Sequence, residues 1–260
     1  MGYSRIVILS WLVPLSLLIV WQFSVSTGWL SSRILPEPLQ VFSAGWNLIK
    51  NGELWENLGI SALRAGIGFI IGSSIGLILG LITGLSRLGE LLLDSSIQMI
   101  RNVPHLALIP LVILWFGIDE SAKIFLVALG TFFPIYLNTL HGIKHLDHKL
   151  IEMAKSYGLH GYSLFRHVIF PGALPAIFVG VRFSLGLMWL TLIVAETISA
   201  NAGIGYLAMN AREFLRTDIV VFTLIIYALL GKTADTLTYL LERVLLQWHH
   251  PKWHKKEVTA

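Results

Sequence analysis

The chain has 260 residues, 55% apolar and only 13% charged, with 23 glycines, nine tryptophans and no cysteine. Soluble domains carry about 25% charged residues, so lipid is the expected solvent for most of this surface, and a disulfide-stapled secreted fold or a disordered tail is excluded. The formal charge of +4 reads as the basic bias of cytoplasmic loops in a membrane protein; no nucleic acid is expected as a partner.

A membrane span needs roughly 20 mostly apolar residues. Six such stretches follow one another, near 6–25, 60–84, 103–117, 121–141, 174–197 and 218–241. The expected fold is therefore an all-α polytopic membrane protein of about six transmembrane helices. The expected divisions are an N-terminal helix with an outer loop (1–59), a core (60–241) and a basic cytoplasmic tail (242–260).

The first stretch carries a mock cleavage site, Ser24-Val25-Ser26. Its apolar run exceeds the usual signal core of about 7–15 residues, so a retained helix is expected. In the loop that follows, Pro36 and Pro38 precede an amphipathic piece around Val41–Ile49, read as a short interfacial helix. The second stretch holds Gly68, Gly72, Gly76, Gly80 and Gly84, one every four residues. Each step turns about 400°, so the strip drifts by about 40° around the helix, and such a strip admits close approach by another helix. Close packing is the expected role. The third stretch is interrupted by Pro104 and Pro110 and the fourth carries Pro134. Both are read as spans, because neighbours in a membrane bundle can satisfy the carbonyls that proline frees.

Between the fourth and fifth stretches lies a long polar loop, 142–173. Leu146, Leu150, Met153, Ala154 and Tyr157 recur at helical spacing, with Asp147, His148, Lys149, Glu152 and Lys155 on the opposite face. Gly158 is expected to end this helix and Gly161 to allow a second turn. Tyr162–Ile169 is then read as another short helix before Pro171. His141, His145 and His148 could share a helix face, but in a charged loop without cysteine no metal site is expected.

With the N-terminus inside, eleven of the 19 Lys and Arg residues fall in cytoplasmic segments and six in outer ones, leaving Arg182 and Lys232 within spans. Both termini are therefore expected in the cytoplasm. Gly231-Lys232-Thr233 imitates the end of a P-loop, yet Ile226 stands where the earlier glycine is required, and no nucleotide site is expected in this chain.

Within the polar loop, Glu152-Met153-Ala154, three residues, Gly158, nine residues, and Val168-Ile169-Phe170-Pro171 closely resemble the EAA loop of ABC importer permeases. Six spans with this loop after the fourth resemble the type I importer arrangement. Arg101–Pro110, Trp115–Glu120, Thr191–Ala200 and Gly203–Leu207 are similar to the sulfonate/taurine/nitrate branch, with aliphatic sulfonates the expected cargo and taurine or nitrate the alternative. The resemblance implies a location in the bacterial inner membrane. It also implies that Leu146–Tyr157 is a coupling helix docking on a separate ATPase, with Glu152 at the interface, Ala154 permitting close approach, and Gly158 and Pro171 shaping the loop. Two ATPase subunits binding ATP and Mg, a second copy of this chain and an extracytoplasmic substrate-binding protein are the implied partners. This chain is not itself expected to be an enzyme or to bind a cofactor.

Arg182 lies eight to ten residues into the fifth stretch, where a charge is costly and faces a water-filled path or a partner. It is read either as attracting the anionic cargo or as a structural ion pair. Glu196, about 21 Å further along a helix, is read as shaping an outer gate or as a capping group. Arg64 is placed on the path or is expected to snorkel to the interface, and Lys232 with Asp235 is expected to form a local pair. Because a binding protein selects outside, any site along the path is expected to be weak. The rival from another class is an ion-coupled secondary transporter, which would need carboxylates or histidines deep in the spans.

Overall fold

The computed structural model describes residues 3–31, 34–246 and 248. Among them every regular element is helical: α1 Tyr3–Ser26, α2 Pro38–Lys50, α3 Glu53–Leu85, α4 Arg87–Gly89, α5 Ser95–Arg101, α6 Ile109–Phe116, α7 Glu120–Lys144, α8 His148–Ser156, α9 Gly161–Leu164, α10 Phe170–Ser199, α11 Ile204–Glu213 and α12 Thr217–Leu245. A π turn, Glu90–Asp94, joins α4 to α5, and a 3-10 turn, His105–Leu108, leads into α6. Helix satisfies every interior backbone group within the segment, as a span in lipid requires. Of the basic tail expected at 242–260, residues 242–245 continue α12, and everything after Trp248 lies outside the described residues.

Four described helical runs are long and apolar enough to cross a membrane: α3, α7, the run Gly161–Ile198 and α12. Their outward faces are covered by large apolar side chains, such as Leu63, Ile70, Ile75, Ile78 and Ile82 on α3. Water would not tolerate so large an exposed apolar surface. The third expected span is not one straight helix. Residues 87–101 and 105–116 are two limbs bent by 80°, because Pro104 has no N–H to carry the helix through and holds the break in extended backbone. The fifth is extended: a helix was expected to stop before Pro171, yet α9 runs into α10 through a π turn at Phe165–Ile169. There Phe170 N donates to Phe165 O, the wider i→i+5 bond of a π turn.

By their contacts the residues form two compact units. One comprises Met1–Ser61 with Glu196–Ala228. Within it α2 starts at Pro38, whose fixed φ suits the first helical turn. The Trp21 indole donates to the Pro36 carbonyl at 3.1 Å. Ala44, Leu48, Leu54, Leu207, Ala211 and Ile219 make its core, and Gly45 admits the Phe222 ring where a Cβ would stand. Helix α11 ends in a paired turn, Leu215 N to Arg212 O and Arg216 N to Ala211 O, with Leu215 left-handed at φ 56°.

The other unit comprises Ala62–Ala195 with Leu229–Ala260. Its centre is α7, which buries Leu126, Val127, Ile135 and Tyr136 almost completely. The α3 glycines lie against α7. A Cβ at Gly68 would come 2.6 Å from Val127, one at Gly76 2.6 Å from the Phe132 carbonyl, one at Gly80 2.7 Å from Thr139 and one at Gly84 2.8 Å from Ile143. A Cβ at Gly72 would overlap the Ala128 carbonyl and the Thr131 hydroxyl. Small residues also bring α10 onto α7, with Gly180 against the Pro134 carbonyl and Gly142 against Ala173 and Ala176. Tyr136 donates to Asp94 at 2.9 Å, and Lys144 pairs with Glu90.

Candidate functional site

The polar loop is preformed. Asp147 is extended and its carboxylate accepts from Lys149 N at 2.9 Å, so α8 begins at His148 and not at Leu146. Leu146 instead packs over Gly172, in the space a Cβ there would fill. At the other end Gly158 N donates to Lys155 O at 2.9 Å and Leu159 N to Ala154 O at 3.1 Å. That pair of bonds needs a left-handed residue between, and Gly158 supplies it at φ 84°. Gly161 takes φ 53° and opens α9. Ala154 and Leu164 are buried within the chain's own packing. Glu152, Met153, Tyr157 and Tyr162 face outward, Tyr157 with 82% of its surface exposed. A carboxylate and three large apolar or aromatic side chains thus stand exposed on a short helix and its sequel; Tyr162 leans on the Phe165 ring at 6.4 Å between centroids, and the Glu152 carboxylate pairs with no described residue.

Glu196 is 1% exposed and is surrounded by donors. Ser61 Oγ lies 2.8 and 2.9 Å from its two oxygens, Gly205 N donates to Oε2 at 2.9 Å, and Tyr227 OH lies 3.3 Å away. Ser61 Oγ also accepts from Ile204 N at 2.9 Å, and Asn57 Oδ1 accepts from Gly203 N at 2.7 Å. Three successive amides at the start of α11 are therefore satisfied by side chains from α3 and α10. A helix start with no cap in its own sequence is capped from a distance. The carboxylate also meets the positive end of the helix dipole.

Arg64 does not snorkel. It is 3% exposed and forks onto Glu120 at the first residue of α7, through Nε to one oxygen and through Nη2 to the other at 2.6 Å. Lys123 Nζ lies 3.2 Å from the same carboxylate and is itself buried. Arg64 ties this end of α3 to α7, and Lys123, one turn along α7, adds a second cation to the same carboxylate; of the three, the sequence singles out only Arg64. Arg182 meets two carboxylates of α12: its Nη2 lies 2.7 Å from Glu242 and its Nε 3.3 Å from Asp235. An anion arriving there must compete with both. Lys232 reaches Asp235 only at 3.9 Å, so the stronger partner of Asp235 is Arg182.

Residues 72–247 match the family described as binding-protein-dependent transport system inner membrane component. The chain is 69% identical over 250 residues to the aliphatic sulfonates transport permease protein SsuC of Escherichia coli (strain K12), covering 96% of this chain and 95% of that one. The protein of the same name from Bacillus subtilis (strain 168) is 45% identical, over 92% of this chain and 87% of its own. The taurine transport system permease protein TauC of Escherichia coli (strain K12) is 36% identical, over 90% and 86%. Among solved structures, an amino acid ABC transporter with histidines superposes with a TM-score of 0.64 at 21% identity, covering 76% of this chain and 97% of that one. At that identity the likeness concerns the fold.

Proposed function

The chain belongs to the family of binding-protein-dependent transport system inner membrane components, and from that premise we propose that aliphatic sulfonates are the cargo it passes into the cell. It is a permease subunit of an ABC transporter and not an enzyme. The single observation that carries the sulfonate reading is 69% identity over nearly the whole of both chains to a permease bearing that name. The taurine permease stands at 36%.

The mechanism follows from the loop. In the proposed complex two copies of this chain meet two ATPase subunits, and each α8 seats its outward Glu152, Met153 and Tyr157 in a cleft of one ATPase. ATP with Mg, bound on the ATPases, would close them together and push both loops. Gly158 and the buried Ala154 and Leu164 hold the loop as one body, so the push would reach α10 and not be absorbed locally. An extracytoplasmic binding protein would deliver the cargo, and both termini would lie in the cytoplasm.

The test is reconstitution of the chain with its ATPase and binding protein in vesicles, offering ethanesulfonate, taurine and nitrate in turn. Ethanesulfonate uptake well above the other two is the expected result; preferred taurine or nitrate uptake would reassign the cargo. In the same vesicles Glu152→Lys and Gly158→Val should retain membrane insertion while uptake per ATP hydrolysed falls about tenfold or more, since a β-branched residue at a left-handed position costs roughly 1–2 kcal/mol and strains the loop. Unchanged uptake per ATP would remove α8 from the coupling role.

A further inference from the structure

A cavity of about 470 Å³ lies within the second unit, in the size range of small-molecule sites, roughly 300–1,000 Å³. The 80° break at Pro104 shapes it. Arg101, the last residue of α5, and His105, the first of the 3-10 turn, sit on opposite sides of the break and both line the cavity. Phe133 and Leu137 of α7 and Phe183 and Leu187 of α10 supply apolar wall. His105 Nε2 lies 3.3 Å from Thr191 Oγ1, which fixes the ring. The Arg101 guanidinium forms no hydrogen bond or ion pair with any described residue. It differs in this from Arg182, held by two carboxylates, and Arg64, forked onto Glu120.

An uncommitted guanidinium beside apolar and aromatic walls matches an amphiphilic anion. Its planar fork of N–H donors suits a sulfonate's oxygens, and the wall suits a short alkyl chain. We propose that this cavity is a transit site for the transported aliphatic sulfonate, with Arg101 taking the head group, His105 a second contact, and Phe133, Leu137, Phe183 and Leu187 receiving the chain. This rests on the cargo reading above and adds where in the permease the cargo pauses. The site discriminates by tail as well as by charge: a bare inorganic anion gains nothing from the walls.

The chain has no cysteine, so one introduced thiol reports on the cavity alone when the partner subunits are cysteine-free. In the reconstituted transporter, Leu187→Cys and, separately, Leu137→Cys would be labelled with 2-sulfonatoethyl methanethiosulfonate. Saturating hexanesulfonate should slow labelling about tenfold, and Arg101→Gln should abolish that protection. Arg101→Gln alone should raise the KM for hexanesulfonate uptake by about tenfold, the scale of a lost charge-assisted contact, with Arg101→Lys much closer to the parent. Sulfonate uptake by the parent with no protection of either cysteine and an unchanged KM in Arg101→Gln would overturn the site and leave the cargo reading standing. No sulfonate uptake by the parent would overturn the cargo reading and the site with it.

Discussion

The buried charges Glu196 and Arg64 are held by partners from another helix, and that decides what their removal does. Glu196→Ala takes the acceptor from the Ser61 hydroxyl and from Gly205 N, at about 1–3 kcal/mol for each buried donor left unpaired. The thermal midpoint of the purified chain should fall by several degrees, and Glu196→Gln, which keeps an acceptor, should fall less. Equal midpoints for Glu196→Ala and the parent would show that the α11 start needs no distant cap. Arg182 offers a different test. If its role is the bridge to α12, the reversed pair Arg182→Glu with Glu242→Arg should recover the uptake that Arg182→Glu alone loses; a double variant as poor as the single would point to the anion path. The sequence marks Glu196, Arg64 and Arg182 as anomalies, because charges in apolar stretches are rare. It does not disclose their partners. Ser61 is 135 residues from Glu196, Glu120 is 56 from Arg64 and Glu242 is 60 from Arg182, separations at which no periodicity survives.

Elements were more legible where the signal repeats. The four-residue glycine period of α3 is visible in the sequence, and a strip of that kind states that something comes close. Which helix comes close is a tertiary fact, and α7 carries no matching motif that would reveal it. Two identical substitutions separate packing from propensity. Gly66 has open space where a Cβ would go, whereas Gly72 has the Ala128 carbonyl. Gly66→Ala should leave the thermal midpoint unchanged or slightly raised, by the roughly 1 kcal/mol that alanine gains over glycine in a helix. Gly72→Ala should lower it by several degrees, because overpacking a tight contact costs about 1–3 kcal/mol. Matching midpoints would mean that α3 and α7 separate at little cost. Pro104 divides the third expected span into two limbs bent by 80°, while Pro171, which the sequence presents as a stop, is bridged. A lone proline fixes its own φ and lacks a donor, and whether the chain kinks or widens into a π turn depends on what packs around it.

At the scale of the whole molecule, composition was decisive: so little charge over 260 residues leaves no fold but one solvated by lipid, and helix is then the simplest way to satisfy the backbone. The join of the N-terminal 61 residues to residues 196–228 in one unit was not legible, since it depends on contacts between segments far apart in the chain. The run of helix that begins at Gly161 has a mechanical consequence. To Ala195 it spans about 35 residues, or about 52 Å at 1.5 Å per residue. A rod of that length pivoting by about 10° at one end sweeps the other through about 9 Å, so leverage alone turns a slight nudge near Gly161 into a stroke wider than a small anion. The π turn at Phe165–Ile169 carries that rod unbroken past Pro171, so the far end answers to the near one.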